Sequence, residues 1–168
     1  MHRMLFSCLA AVLWFPVGLN AQAPAARLTA QDAFNLELPA DPQISPDGRL
    51  VVYVRSAADI MTDKRFSNLW IVNADGSGHR PLTSGKHGIG SPRWSPDGTR
   101  LAYASDEDGT NQIYVRWMDD GRTIKVTTLT VPLSGLSWSP DGRSLAFTAL
   151  EPKPARVVAQ LPTPPEGA

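Results

Sequence analysis

The chain of 168 residues contains one cysteine, Cys8. A lone thiol excludes an internal disulfide framework and a thiolate-rich metal centre. An excess of charge is also lacking, because 16 Lys and Arg stand against 16 Asp and Glu and no run of five basic residues occurs. Neutralising a phosphate backbone needs clustered cations, so nucleic acid is not an expected partner. Histidine is scarce, with three in the chain, and only His79 and His87 lie outside the opening stretch. Neither has a companion cysteine or an H-E-x-x-H frame, so both read as solvated surface imidazoles. A G-x-S-x-G nucleophile elbow is missing as well; Gly76-Ser77-Gly78 and Gly90-Ser91-Pro92 do not have its spacing. No catalytic, cofactor-binding or metal-binding residue is expected, and no cofactor. This chain alone is not expected to be an enzyme.

Long apolar runs are confined to the start, at Met4 to Leu19. His2 and Arg3 precede that run, and Ala21-Gln22-Ala23 follows it with the small-x-small pattern of a signal-peptidase site. The order predicts a signal peptide over residues 1–23, a mature start at Pro24, and a secreted or periplasmic product. Pro16 and Gly18 within the run argue against a membrane anchor. Leu5-Phe6-Ser7-Cys8 has the order of a lipoprotein box, but the seven residues before Cys8 are too few for its apolar region.

What the chain does contain is one tetrapeptide three times: SPDG at Ser45–Gly48, Ser95–Gly98 and Ser139–Gly142. The likeness extends through QISPDGRLVVYVRS from Gln43, RWSPDGTRLAYASD from Arg93 and SWSPDGRSLAFTAL from Ser137. Each serine is preceded by Ile44, Trp94 or Trp138; six residues after it stands Val51, Leu101 or Leu145, and eight after it Tyr53, Tyr103 or Phe147. Large apolar groups two apart share one face of a strand, and Val52, Ala102 and Ala146 between them form a small apolar opposite face. Both faces are expected to be buried, as in a sheet packed between two others.

A second pair of matching segments runs NLWIVNADGSGHRPLT from Asn68 and QIYVRWMDDGRTIKVTTL from Gln112, each a strand, a glycine turn and another strand. Trp70 matches Tyr114 and Asp75 matches Asp119, both 44 residues apart, as are Ser95 and Ser139. Ser45 to Ser95 is 50, and the difference of six places an insertion in Ala58 to Ser67. Four short antiparallel strands recurring at this period predict an all-β fold, a partial β-propeller of about two and a half four-stranded blades after the signal peptide. SPDG is then the hairpin between a blade's first and second strands. Proline presets φ at the second turn position, aspartate tolerates the third, and glycine takes a left-handed backbone at the fourth.

Asp106-Glu107-Asp108-Gly109 puts three carboxylates in four residues but lacks the alternation and distant glutamate of a calcium loop. It lies where the second and third strands need a hairpin, and reads as one. Trp94, Trp138 and Trp70 hold repeat positions and are expected in blade cores. Trp117 faces opposite to Arg116 and has Asn73 as its counterpart, which leaves it on a blade face or edge as the one aromatic free to stack on a substrate.

DPQISPDG at Asp41 to Gly48, preceded by LTAQDAFNLELPA, resembles the N-terminal portion of secreted bacterial peptidases of the prolyl oligopeptidase family, in its acylaminoacyl-peptidase-like branch. WSPDGTRLAYASDEDGTNQIYV from Trp94, and WSPDGRSLAFTAL with the proline-rich tail ending LPTPPEGA, carry the likeness over Leu28 to Ala168. The resemblance implies a TolB-like propeller of about seven blades followed by a C-terminal α/β-hydrolase domain with a Ser-Asp-His triad. The propeller would gate that active site, and short or N-acylated peptides would be the substrates. None of the family's catalytic motif is matched. The domains expected are a lead-in at 24–40, SPDG blades at 41–150 and a proline-rich segment at 151–168 inside the truncated third blade, with at most a short strand at Val157 to Leu161. The alternative is a TolB-like binding propeller without a hydrolase, taking a protein or carbohydrate partner at its central mouth.

Overall fold

A computed structural model describes residues 28–150. The signal peptide expected over 1–23 and the proline-rich segment 151–168 lie outside the described residues. A one-turn helix α1 (Ala30–Phe34) opens the described chain, started by a capping box in which the Thr29 hydroxyl accepts the Asp32 N–H and the Asp32 carboxylate accepts the Thr29 N–H.

Everything after it is strand and turn. β1 (Leu38–Ile44), β2 (Leu50–Asp59), β3 (Lys64–Asn73) and β4 (Arg80–Pro81) pair in sequence order as one antiparallel sheet. β5 (Ile89–Trp94), β6 (Arg100–Ser105), β7 (Gln112–Trp117) and β8 (Thr123–Lys125) repeat that arrangement. β9 (Leu133–Trp138) and β10 (Leu145–Ala149) form the first hairpin of a third unit. The fold is therefore all-β, a partial propeller with two four-stranded blades and half of another.

The strand register confirms the repeat. Tyr53 stands opposite Trp70 in blade 1, and their counterparts Tyr103 and Tyr114 stand opposite one another in blade 2. The inserted residues lengthen both arms of one hairpin: pairing in blade 2 ends at Ser105 and Gln112, whereas in blade 1 it continues from Ser56 and Ser67 to Asp59 and Lys64.

Blade-to-blade packing follows the alternation of side chains along each strand. Val52, Val54, Leu69 and Ile71 of blade 1 meet Leu101, Tyr103 and Tyr114 of blade 2 in one cluster. Ala102, Ile113 and Val115, on the other face of blade 2, meet Leu136 of the third unit in a second cluster, flanked by Trp138 and Leu145. Position six or eight after the SPDG serine thus looks back to the preceding blade, and position seven looks forward to the next. The expectation that both faces are buried holds for β6 and fails for β2 and β10: Val51 and Tyr53 are half-buried and Ala146 is exposed. A blade face leaves water only when a neighbour covers it, and only blade 2 has a neighbour on each side among the described residues.

One further repeat was not visible in the residue pattern. Asp41, Ser91 and Gly135, each four residues before an SPDG serine, all have positive φ, at 46, 54 and 64°. Pairing shifts register beside them, between Ala40 and Gln43 and between Gly90 and Arg93. Each first strand therefore carries a β-bulge at the same place, which bends it and increases its twist.

Candidate functional site

The three SPDG serines are the recurrent hydroxyls of the chain, and their hydrogen-bond surroundings are nearly identical. Each hydroxyl donates to the aspartate two residues on, at 2.6 Å in all three copies. Each also accepts the N–H five residues on, from Leu50, Arg100 or Ser144, at 2.9 Å. The aspartate closes the turn by accepting the next N–H, from Arg49, Thr99 or Arg143. Glycine donates to the serine carbonyl at 2.8 to 2.9 Å, with φ of 74, 71 and 66° at Gly48, Gly98 and Gly142.

Such a serine is spent on the turn. A nucleophilic hydroxyl needs a base able to take its proton. Its only carboxylate partner is a poor one, because the serine hydroxyl and the Thr99 amide hold Asp97 at about 2, and the serine and following amide lower Asp47 and Asp141 in the same way. Ser45 and Ser95 are buried as well, at 6% and 0% exposed.

The turns also touch one another. A Cβ on Gly98 would meet the Pro46 ring at 3.5 Å, and one on Gly142 would meet the Pro96 ring at 3.4 Å. The proline of each turn thus lies against the glycine of the next. Beside this stack run hydrogen bonds between blades. The Trp94 indole donates to the Gln43 carbonyl at 3.2 Å, and the Trp138 indole donates to the Arg93 carbonyl at 2.9 Å. Gln43 and Arg93 hold the same repeat position. Arg93 forms an ion pair with Asp41 of the preceding blade at 2.9 Å, and Arg100 donates to the Gly142 carbonyl at 2.9 Å while lying 4.9 Å over the Trp138 ring. Trp94 and Trp138, expected in blade cores, are half-buried and pack against the two clusters from their margins; the indole N–H as a clamp was not legible, although its recurrence at one repeat position was the available signal.

Asp106 to Gly109 forms the predicted hairpin turn, closed by the Gly109 N–H to the Asp106 carbonyl at 2.8 Å. Its carboxylates diverge. Asp106 accepts the Gly88 amide at 2.7 Å, whereas Asp108 accepts from the Tyr114 hydroxyl and the Lys125 ammonium at 2.9 and 2.8 Å. Tyr114 is accordingly pushed up beyond the ordinary phenol range, by burial first and then by the acidic turn.

Three expectations differ from the structure, those for His79, Trp70 and His87. His79 is exposed but not simply solvated: its Nε2 lies 2.6 Å from the Tyr53 hydroxyl, and its ring is 4.9 Å from that of Trp70. Trp70 is not core either. It is half-buried on the uncovered face of blade 1, with the Arg55 guanidinium 4.2 Å above it and Glu37 paired to Arg55. The equivalent Tyr114 is covered by blade 1, and among the described residues no blade covers Trp70. His87 is half-buried and acts through its carbonyl, which accepts the Ser67 N–H at 2.9 Å. Trp117 is half-buried under the Arg122 guanidinium at 4.6 Å. With Ile113, Val115, Trp138 and Phe147 it lines a mainly apolar cavity of about 360 Å³ between blade 2 and the third unit. Among the described residues no three His, Cys, Asp or Glu side chains are grouped to hold a metal ion, and no helix is long and apolar enough to cross a membrane.

Stacked antiparallel blades, each with an SPDG turn between its first two strands, define a repeat propeller, and the chain belongs to the TolB beta propeller domain family, whose pattern matches residues 40–164. Among individual proteins it is 38% identical over 112 residues to the uncharacterized peptidase YuxL of Bacillus subtilis, covering 66% of this chain and 17% of that protein. It is 34% identical over 119 residues to dipeptidyl-peptidase 5 of Porphyromonas gingivalis, covering 67% and 17%. The uncomplexed acylaminoacyl peptidase of Pyrococcus horikoshii superposes with a TM-score of 0.56 at 27% identity, over 67% of this chain and 17% of that one. The resemblance to propeller-bearing peptidases is borne out. The chain spans 17% of the length of these curated relatives.

Proposed function

We propose that this chain is the first part of the propeller of a serine peptidase of the prolyl oligopeptidase type, and that the propeller gates peptide access to a C-terminal α/β-hydrolase domain. One observation carries the reading: the chain is 38% and 34% identical to two proteins named as peptidases, along a stretch whose recurrent serines are held as turn residues. Short or N-acylated peptides are the proposed substrates. Export through a cleaved signal peptide at 1–23 gives a secreted or periplasmic location, with a lead-in at 24–40, blades at 41–150, and 151–168 within the third blade. N-terminal sequencing of the exported form should begin at Pro24.

The gating role is tested on the full-length product of the gene, by following N-acylated peptides of increasing length. Turnover should fall steeply with length, and loosening the blade stack by Trp138→Ala should raise the relative rate on long peptides. Turnover independent of length in both forms would remove the gate. The family match itself favours a second reading, a TolB-like propeller that binds a protein or carbohydrate. A reading frame that ends after further blades, without G-x-S-x-G, would decide for that alternative.

A further inference from the structure

The two ends of the blade stack differ. At one end the SPDG turns lie beside the turns that follow β3 and β7, where the Ala74 N–H donates to the Arg49 carbonyl and the Met118 N–H to the Thr99 carbonyl, at 2.8 and 3.0 Å. Aspartates occupy that rim: Asp47, Asp75, Asp97 and Asp141 each accept the backbone N–H two residues on. Such turns are polar and satisfied within themselves.

The opposite rim carries the connection from β2 to β3, and there the blades part. Blade 2 turns through Asp106-Glu107-Asp108-Gly109, whereas blade 1 turns through Ile60-Met61-Thr62-Asp63 at the tip of the hairpin lengthened by the insertion. Ile60 and Met61 are 50% and 87% exposed. The tip is nonetheless held in place: the Asp59 carboxylate accepts the Met61 N–H at 3.0 Å and the Lys86 ammonium, and the Asp59 carbonyl accepts the Thr62 N–H at 3.3 Å. Helix α1 lies alongside, with Ala33 and Phe34 across a cavity from Ala58 and Arg65. Leu38, opposite Ser56 at the base of the same hairpin, and Leu36 before it are exposed as well. Gly88 stands where Leu38 does in the repeat.

Apolar side chains grouped on a fixed scaffold and left in water mark an interaction surface, and methionine is enriched in such contacts. We propose that this rim, led by the Ile60–Met61 tip, is where the propeller seats the catalytic domain of the same polypeptide. The inference rests on the peptidase reading: the chain spans 17% of the two named peptidases, its recurrent serines are held as turn residues, and a propeller that gates a hydrolase domain meets it at one end. Interfaces between domains of one chain bury roughly 600–1,500 Å². Their cores are depleted of aspartate, which disfavours the SPDG rim and favours the apolar one.

The test uses the full-length product of the gene, carrying Met61→benzoylphenylalanine or, on the SPDG rim, Asp75→benzoylphenylalanine as a photoreactive probe. Illumination and peptide mapping should join position 61 to the domain containing G-x-S-x-G within the monomer, and position 75 should give no such product. Cross-linked dimers as the main product, no link from position 61, or a link from position 75 instead would overturn the proposal, the dimers by giving the tip to a second copy. A measurement without the probe guards against a disturbed fold: Ile60→Ser with Met61→Ser, both at exposed turn positions, should raise turnover of long N-acylated peptides relative to short ones at least about 5-fold. An unchanged ratio would equally refute it. A full-length product with no hydrolase domain removes the peptidase reading and the proposal together, whereas one that cleaves N-acylated peptides without a link from position 61 refutes the seat alone.

Discussion

Blades 1 and 2 carry the same repeat and differ in what lies beside them. Leu101 and Tyr103 are 0% and 6% exposed, while Val51 and Tyr53 at the equivalent positions are half-buried. Further along the same strands, Ser105 and Gln112 are buried in blade 2 where blade 1 has half-buried Arg55 and Asn68. The position within the repeat sets which way a side chain points, and the neighbouring blade sets whether it is buried. Local composition follows that difference: the covered face stacks Tyr103 on Tyr114, and the open one joins Tyr53 to His79 and lays Arg55 over Trp70.

The comparison breaks most visibly under truncation to alanine. Leu101→Ala should cost about 2–5 kcal/mol, as for large-to-small changes in packed cores, while Val51→Ala should cost less than about 1 kcal/mol. Urea midpoints of the two variants check this, and equal losses would mean that the two faces are not differently covered.

Ser95→Ala comes next. It leaves the half-buried Arg100 N–H without its acceptor, at about 1–3 kcal/mol. It also removes the first cause that holds Asp97 at about 2. A carboxylate depressed in the folded state stabilises above its unfolded value, about 3.9, and that stability is lost as pH falls towards 2. Unfolding midpoints at pH 7 and pH 3 should therefore differ less in Ser95→Ala than in the parent. The same pH difference in both would contradict the part assigned to the serine.

Trp138→Phe keeps an aromatic ring, smaller than the indole, and removes the donor to the Arg93 carbonyl, a hydrogen-bond loss of about 0.5–1.5 kcal/mol. Ile44 holds the same place in blade 1 and is 68% exposed, so Ile44→Phe should change the urea midpoint little. The smallest effect is a gain. Ser91→Gly relieves a left-handed φ of 54° and should stabilise by up to about 1 kcal/mol; Asp41→Gly, which also forfeits the Arg93 ion pair, should gain less or lose.

Much of this architecture was legible beforehand, because a propeller writes its turn chemistry and its alternation once per blade. The period of 44, the SPDG hairpin and the placement of the insertion could be read directly from SPDG, Trp70, Tyr114 and their spacings. What escaped was relational. The indole clamps, the Pro46–Gly98 contact and the Asp41–Arg93 pair join residues of different blades, and no single repeat carries them. The bulge escaped because Asp41, Ser91 and Gly135 share a backbone conformation and no side-chain type. His79 was misjudged for a similar reason, since it lies just before β4 and its partners Tyr53 and Trp70 come from β2 and β3.

The most direct test of the account is chemical. The purified 168-residue chain should be incubated with N-acylated and free aminoacyl chromogenic substrates, and separately with a serine-directed fluorophosphonate followed by peptide mapping. Serines held between an aspartate and a backbone amide should give no turnover and no labelled peptide. Turnover abolished by the fluorophosphonate, or its attachment to Ser45, Ser95 or Ser139, would contradict the account.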